Sequence, residues 1–311
     1  MDFAEVARQT GYSIFTAEFD RVRNVRDDFG PEMLEQLRQQ VETHQRTEYD
    51  RIPSENDAAA LEEAVAELEA VLRTALEETG VQASSSVIAF LVDNSGSLRD
   101  MGAVFARAMS RVCRVLDGFG FDTPVVGHTT SQWKGGKSKV KWIESGRPMK
   151  PGRLNDILFT VYKEPGEPTV DGDNRLYGLA ASREFKENID GEALAWTALK
   201  VDELEVANKS IVFVSDGDIS MDDASVAYND RDFLDRHRSA VIAEIEASDI
   251  GLVHVVASRD KVAAPVTGVP TFGGGEVFYA SELVRSITQA IDHAIRMNAA
   301  PKPVAGVRAT P

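Results

Sequence analysis

The chain has 311 residues, enough to bury a real core in one large domain with a smaller accessory region. Its 43% hydrophobic and 27% charged residues place it among soluble globular proteins rather than disordered or fibrous ones. A formal net charge of -16 argues against nucleic acid or an anionic membrane as partner, because both would be repelled; basic protein surfaces and cations fit better.

The first 85 residues hold no lysine and read as an acidic, helical region. Met1-Asp2-Phe3-Ala4-Glu5 offers neither a basic nor an apolar leader segment. No apolar run approaches the roughly 18 residues of a membrane span. The expectation is a cytoplasmic protein. Gly30-Pro31 opens a helix with Met33, Leu34, Leu37 and Val41 at helical spacing, proline being suited to the first helical position. A second helix follows Ile52-Pro53-Ser54, with Leu61, Val65, Leu68, Leu72 and Leu76 on one stripe and Gly80 at its end. Its other faces carry Glu62, Glu63, Glu67, Glu69, Glu77 and Glu78, read as a solvated face, with docking of a basic partner as the alternative.

From residue 86 the pattern changes. Ser86 to Val92 is a short, nearly continuous apolar run, the signature of a buried parallel strand. Met101 to Phe119 reads as a helix, and within it Cys113, the single cysteine, reads as a packed residue rather than a nucleophile. Strands are predicted at Thr123–His128, Ile211–Val214, Gly251–Val256 and Gly275–Tyr279, and helices at Phe233–Ala247 and Ser281–Arg296. This alternation predicts an α/β domain over residues 86–297. Its sheet is open and mostly parallel, with helices on both faces, and a small helical region over 1–85 precedes it. Residues 298–311, rich in Pro and Ala, read as a disordered tail.

The residues that carry chemistry are Asp93-Asn94-Ser95-Gly96-Ser97, set directly after the first buried strand. Ligands of open parallel sheets collect at the carboxyl ends of the strands. The spacing lets one loop aim the carboxylate of Asp93 and the hydroxyls of Ser95 and Ser97 at one point, with Gly96 allowing a sharp turn. Hard oxygen donors of this kind suit Mg²⁺, with Mn²⁺ as the alternative. A second buried strand ends in Ser215-Asp216-Gly217-Asp218, and a neighbouring parallel strand would bring Asp216 to the same metal.

Together these residues resemble the metal-ion-dependent adhesion site of von Willebrand A domains. That resemblance implies a third loop supplying Thr or Asp, for which Asp190 in Asn188-Ile189-Asp190-Gly191-Glu192-Ala193-Leu194 is the candidate; a helix N-cap is its other reading. Longer motifs are similar to the CobT subunit of aerobic cobaltochelatase. They are Trp133-Lys134-Gly135-Gly136-Lys137-Ser138, Lys141-Trp142, Pro151-Gly152-Arg153-Leu154-Asn155-Asp156, Lys186 to Leu194 and Leu234-Asp235-Arg236-His237. Gly11 to Thr16 with Glu18-Phe19-Asp20 resembles a stretch upstream of that domain.

The resemblance implies a subunit that does no chemistry alone. It would pair with an AAA+ ATPase of CobS type and a CobN-type chelatase subunit in cobalamin biosynthesis, in a ring-shaped oligomer. Its metal would bridge to an acidic residue of the partner. Members of that family have a longer helical region and an acidic linker ahead of the A domain, most of which is missing here. The alternative is therefore a free-standing or phage-borne adaptor without chelatase activity.

Gly135-Gly136-Lys137-Ser138 ends like a phosphate-binding loop, but Ser131 stands where the first glycine belongs and no buried strand leads in, so no nucleotide is expected. Lys134, Lys137, Lys139 and Lys141, flanked by Trp133 and Trp142, form the most basic stretch. It reads as an exposed hairpin or as a dock for carboxylates. His44, His128, His237, His254 and His293 lack metal-ligand spacing and read as structural. Asp218, Asp222, Asp223, Asp230 and Asp232 lack the order of a calcium loop. No nucleophile–base arrangement of the hydrolase kind stands out.

Overall fold

The protein is described by a computed structural model over residues 1–43, 57–217, 221–258 and 268–299. Ile52-Pro53-Ser54, His44, Asp218 and residues 300–311 of the expected tail lie outside the described residues. The described elements are α1 (Phe3–Thr10), β1 (Arg21–Asn24), α2 (Val25–Glu42), α3 (Asp57–Thr79), β2 (Ser86–Asp93), α4 (Gly102–Phe119), β3 (Val125–Thr130), α5 (Lys137–Glu144), β4 (Ile157–Lys163), α6 (Asp190–Asp202), β5 (Asn208–Ser215), α7 (Asp223–Tyr228), α8 (Phe233–Glu246), β6 (Ile250–Ser258), β7 (Thr271–Glu276) and α9 (Ala280–Ala299). No described helix is long and apolar enough to cross a membrane.

The seven strands lie in the order β1-β4-β3-β2-β5-β6-β7. β3, β2, β5, β6 and β7 run parallel, while β4 is antiparallel to β3 and carries β1 parallel to itself. The period-2 alternation of a strand splits β2 between two cores. Ile88, Phe90 and Val92 face a layer built with α2, α3, α4 and α9, whereas Val87, Ala89 and Leu91 face one built with α1, α6 and α8. Strands buried on both faces need apolar residues at every position, which is why β2 reads as an unbroken apolar run.

The helix that opens at Gly30-Pro31 is the second half of α2, kinked where Gly30 takes φ 67° and ψ 165°. The stripe of α3 packs on α9, and Gly80 follows it at φ +69°. The acidic face of α3 is partly neutralised from within the chain: Arg285 meets Glu63 and Glu67, and Arg296 meets Glu78.

Three expectations shift. The last strand is Thr271–Glu276 rather than Gly275–Tyr279, because Gly273 and Gly274 at positive φ continue the ladder through a bulge opposite Val256. Helix α9 continues through Ala299, past the expected start of the tail. The basic stretch is not a hairpin: Lys137–Glu144 is helical, and the Trp142 indole is buried, donating from Nε1 to the Pro148 carbonyl at 3.0 Å.

Two strands come as additions. β4 is an apolar segment that had no reading from the sequence. β1 is a short, charged edge strand inside the region expected to be helical. The segment before β1 is tied in by Arg153, which is fully buried. Its guanidinium donates to both carboxylate oxygens of Asp20, at 2.8 and 2.6 Å, and meets Glu192 at 2.6 Å. The Tyr12 hydroxyl donates to the same Glu192 at 2.5 Å, and the Tyr12 ring stacks on His237 at 3.7 Å. Removing one partner of a buried pair strands the other charge. Asp20→Ala is therefore expected to lower unfolding free energy by about 3 kcal/mol, measured by urea denaturation.

Burial lowers the His237 pKa from 6.5 to about 4, so the fold holds the neutral ring and unfolding takes up a proton below pH 6.5. Stability is full above that pH and falls as pH drops toward 4. His237→Phe, which keeps the stack on Tyr12, should flatten that acid slope in denaturation curves recorded across this range.

Candidate metal centre

The site forms where three strand ends meet. Asp93 closes β2 opposite His128 of β3, and the pairing of Val92 with Val214 sets Ser215 and then Asp216 beside it on β5. The Asp93 carboxylate is fully buried and folds back on its own loop. Oδ1 accepts the Ser95 backbone N–H at 2.8 Å, and Oδ2 accepts the Ser95 hydroxyl at 3.1 Å. The Ser95 and Ser97 hydroxyls lie 2.9 Å apart, and Ser97 donates to Asp216 Oδ2 at 2.5 Å. Asp93, Ser95, Ser97 and Asp216, four of the five expected ligands, thus form one continuous chain of oxygen atoms.

Asp190, the fifth, stands beside that chain. It is the first residue of α6, and the N-cap position belongs to Ile189, whose side chain makes no capping bond. Asp190 Oδ1 accepts from Asn188 Nδ2 at 2.9 Å and lies 3.1 Å from His128 Nε2, while Oδ2 faces Arg238 Nη1 at 3.3 Å. Asn188 Nδ2 also reaches Asp93 Oδ2 at 3.4 Å, linking Asp190 to the loop.

Sequence reading gave no role to Asn188, His128 or Arg238. Each meets Asp190 from a different element; His128 reads only as the structural last residue of a strand, and its place opposite Asp93 comes from the sheet register. His254, in the middle of β6, lies 2.9 Å from Ser215 Oγ and is held neutral by burial, its pKa lowered to about 4.

Neighbouring loops are laced to the site by backbone bonds. Gly96 N–H donates to the Lys186 carbonyl at 2.5 Å, Thr130 N–H to the Glu187 carbonyl at 2.9 Å, and Asn188 N–H to the Met221 carbonyl at 3.1 Å. Gly96 does not adopt positive φ. Glycine is required there because a Cβ would overlap the Trp133 ring. Glu187 accepts from Lys134 N–H, Asn155 Nδ2 and Asp223 N–H at 2.8 to 3.1 Å, so one carboxylate joins three loops. Burial and the nearby Asp222 carboxylate push its pKa up to about 7.

The electrostatics favour a cation. Asp93 is raised well above the usual carboxylate range, first by burial and then by the negative charges of Asp190 and Asp216. Among the described residues no three of His, Cys, Asp or Glu form a cage by themselves. The donor set is instead carboxylates with two hydroxyls, hard oxygen atoms that leave room for water. That suits Mg²⁺ and fits poorly with zinc or copper.

The model of the VWA domain of the cobalamin biosynthesis protein CobT matches residues 74–277, about two thirds of the chain. The chain belongs to the CobT von Willebrand A family. Its mostly parallel seven-stranded sheet with flanking helices is the architecture expected of that resemblance. Two crystal structures of the pilus adhesin SpaC from Lactobacillus rhamnosus GG are similar at 10% identity. One gives a TM-score of 0.44 over 68% of this chain and 30% of that one; the open conformation gives 0.38 over 69% and 29%. The CobT-family chain thus spans under a third of the length of that adhesin, and the overlap carries no argument about its role.

A cation bound only by the folded state stabilises it by mass action, about 2.7 kcal/mol at a hundredfold excess over Kd. Mg²⁺ is therefore expected to raise the melting temperature of the wild-type chain. Asp93→Ala should abolish that rise, measured by scanning calorimetry with Mg²⁺ and with EDTA.

Proposed function

We propose that this chain is a non-catalytic, CobT-like subunit of an ATP-dependent cobalt chelatase in cobalamin biosynthesis. It couples an AAA+ ATPase of CobS type to its client through a Mg²⁺-dependent adhesion site. The observation that carries the reading is the oxygen chain Asp93–Ser95–Ser97–Asp216 at adjacent strand ends, in a member of the CobT family. Mg²⁺ on these residues would supply a positive centre for a carboxylate of the partner protein.

The chain's own residues do the positioning. Asp93 and Asp216 provide the negative charge that selects a divalent cation. Ser95 and Ser97 orient neutral oxygen atoms without adding charge, so the cation keeps enough positive field to attract an outside carboxylate. Asp190, engaged by Asn188, His128 and Arg238, completes the shell from beside the chain of ligands. The CobN-type subunit and a ring-shaped oligomer belong to the same proposal, since an adaptor to a hexameric motor has to meet it with matching geometry.

Binding to a CobS-type ATPase is expected to weaken by at least about tenfold when EDTA replaces Mg²⁺, and by a similar factor in Asp93→Ala with Mg²⁺ present. Isothermal titration of the two full-length proteins measures this. Equal affinity in Mg²⁺ and EDTA would overturn the bridging role.

A further inference from the structure

Beside the metal loop a cleft of about 550 Å³ opens between the edge of β1 and β4 and the turn after β3. Its lining holds four cations, Arg21, Arg23, Lys137 and Lys186, in a chain whose net charge is -16. Four carboxylates also line it, and each is already engaged. Asp20 is held by Arg153, and Asp28 by Arg23 at 2.9 Å. Asp156 accepts from Lys137 N–H, Ser138 N–H and two serine hydroxyls. Glu184 lies 3.7 Å from Arg23.

Lys186 is the unusual member. It is half-buried, and its ammonium donates to the Glu184 carbonyl at 3.2 Å, the one hydrogen bond it makes among the described residues. Among the described residues no carboxylate lies within ion-pair distance of it, and the same holds for Arg21 and Lys137. Burial bears on this ammonium first; the Glu184 carboxylate attracts it, and the guanidinium groups of Arg23 and Arg99 repel it. A half-buried ammonium beside two guanidinium groups, with one carboxylate acting on it from a distance, gains from a further anion in the cleft.

Lys186 is also fused to the metal loop. Its carbonyl accepts the Gly96 N–H, and Ser95 pairs with it in a parallel bridge. Trp133, which follows the cleft-lining Gln132 and sets its ring against Gly96 of the loop, is half-exposed, with Arg99 over its ring at 5.8 Å.

We propose that this cleft receives an acidic side chain of a protein partner, presented on the same segment whose carboxylate reaches the metal loop. The inference rests on the adhesion-site reading for the second contact only. The recognised chemistry is a peptide with two separated carboxylates: one at the strand ends and one on Lys186, flanked by Arg21 and Lys137. The mixed lining selects for this. A dense anion such as phosphate meets the four lining carboxylates, whereas single carboxylates spaced along a chain can each reach a cation. The Trp133 face supports the chain between the two positions.

The test is isothermal titration of the full chain with a synthetic Glu-rich peptide and with its Gln counterpart, each in Mg²⁺ and in EDTA. The Glu peptide is expected to bind in EDTA and the Gln peptide not to. Lys186→Glu should reduce the EDTA affinity about tenfold or more, and Lys186→Met should reduce it less. Unchanged thermal melts would show that both variants fold. The exposed Arg21→Glu, which should also weaken binding, serves if Lys186→Glu does not fold. Asp93→Ala should lose only the increment that Mg²⁺ adds. Equal affinity of wild type and Lys186→Glu in EDTA, or no binding of the Glu peptide in EDTA, overturns the cleft assignment. Loss in Lys186→Glu without any Mg²⁺ increment in wild type would keep the cleft and remove the metal bridge.

Discussion

The burial of several carboxylates close to one another is the constraint around which this protein is arranged. Asp93, Asp190 and Asp216 converge at one end of the sheet; burial, and after it the charges of Asp190 and Asp216, drive the Asp93 pKa upward. A fold that gathers such charges needs a rigid frame, because loops alone would splay apart. The frame is the parallel ladder of β3, β2 and β5, which fixes His128, Asp93 and Ser215 in adjacent register. Hydroxyl donors then occupy the gaps, so the carboxylates touch serines rather than one another. Arg238 offsets part of the charge on Asp190.

The same economy of charge explains why the first 24 residues belong to the domain. Glu192, two residues after Asp190, is partly buried and would add a fourth carboxylate near the site. Arg153 neutralises it, and Arg153 in turn needs Asp20 to complete its fork of donors. Tyr12 supplies one more hydrogen bond to Glu192 and, by stacking on His237, ties α1 to α8. The motif of Gly11–Thr16 and Asp20 therefore acts at the start of α6, across a sequence separation of 180 residues between Tyr12 and Glu192. The edge strand β1 follows from this anchoring, since Asp20 also accepts the Ile157 N–H and sets β1 against β4.

These distances in sequence separate what could be read in advance from what could not. β2 and β5 were legible because double burial demands continuous apolar runs, and their acidic ends because chemistry at strand ends follows from topology. The loop Asp93-Asn94-Ser95-Gly96-Ser97 was legible for the same reason. Asn188, His128 and Arg238 were not, because nothing local distinguishes a polar residue that meets a carboxylate from one that meets water. β1 escaped notice because a four-residue edge strand with two arginines carries neither an apolar run nor a clean alternation. Gly96 was singled out correctly but for another reason: the turn needs no left-handed backbone there, and the Trp133 ring excludes a side chain.

Trp133 links the metal loop to the basic α5 lobe. In a chain carrying 50 acidic and 34 basic side chains, Lys134, Lys137, Lys139 and Lys141 concentrate positive charge in one short stretch. Several of these cations are spent internally: Lys141 on Glu18, and Lys139 on the Lys134 carbonyl. Lys137 lies over the Phe19 ring instead, at 5.7 Å, and faces the cleft with Lys186. Net repulsion from the rest of the surface would keep an acidic partner away at long range, but screening confines that field to about a Debye length of roughly 8 Å. Within that distance the local cations dominate. An overall acidic protein can therefore dock an acidic segment, provided the contact is short-ranged and geometrically fixed, and the ladder bonds between Lys186, Ser95 and Gly96 supply that fixity.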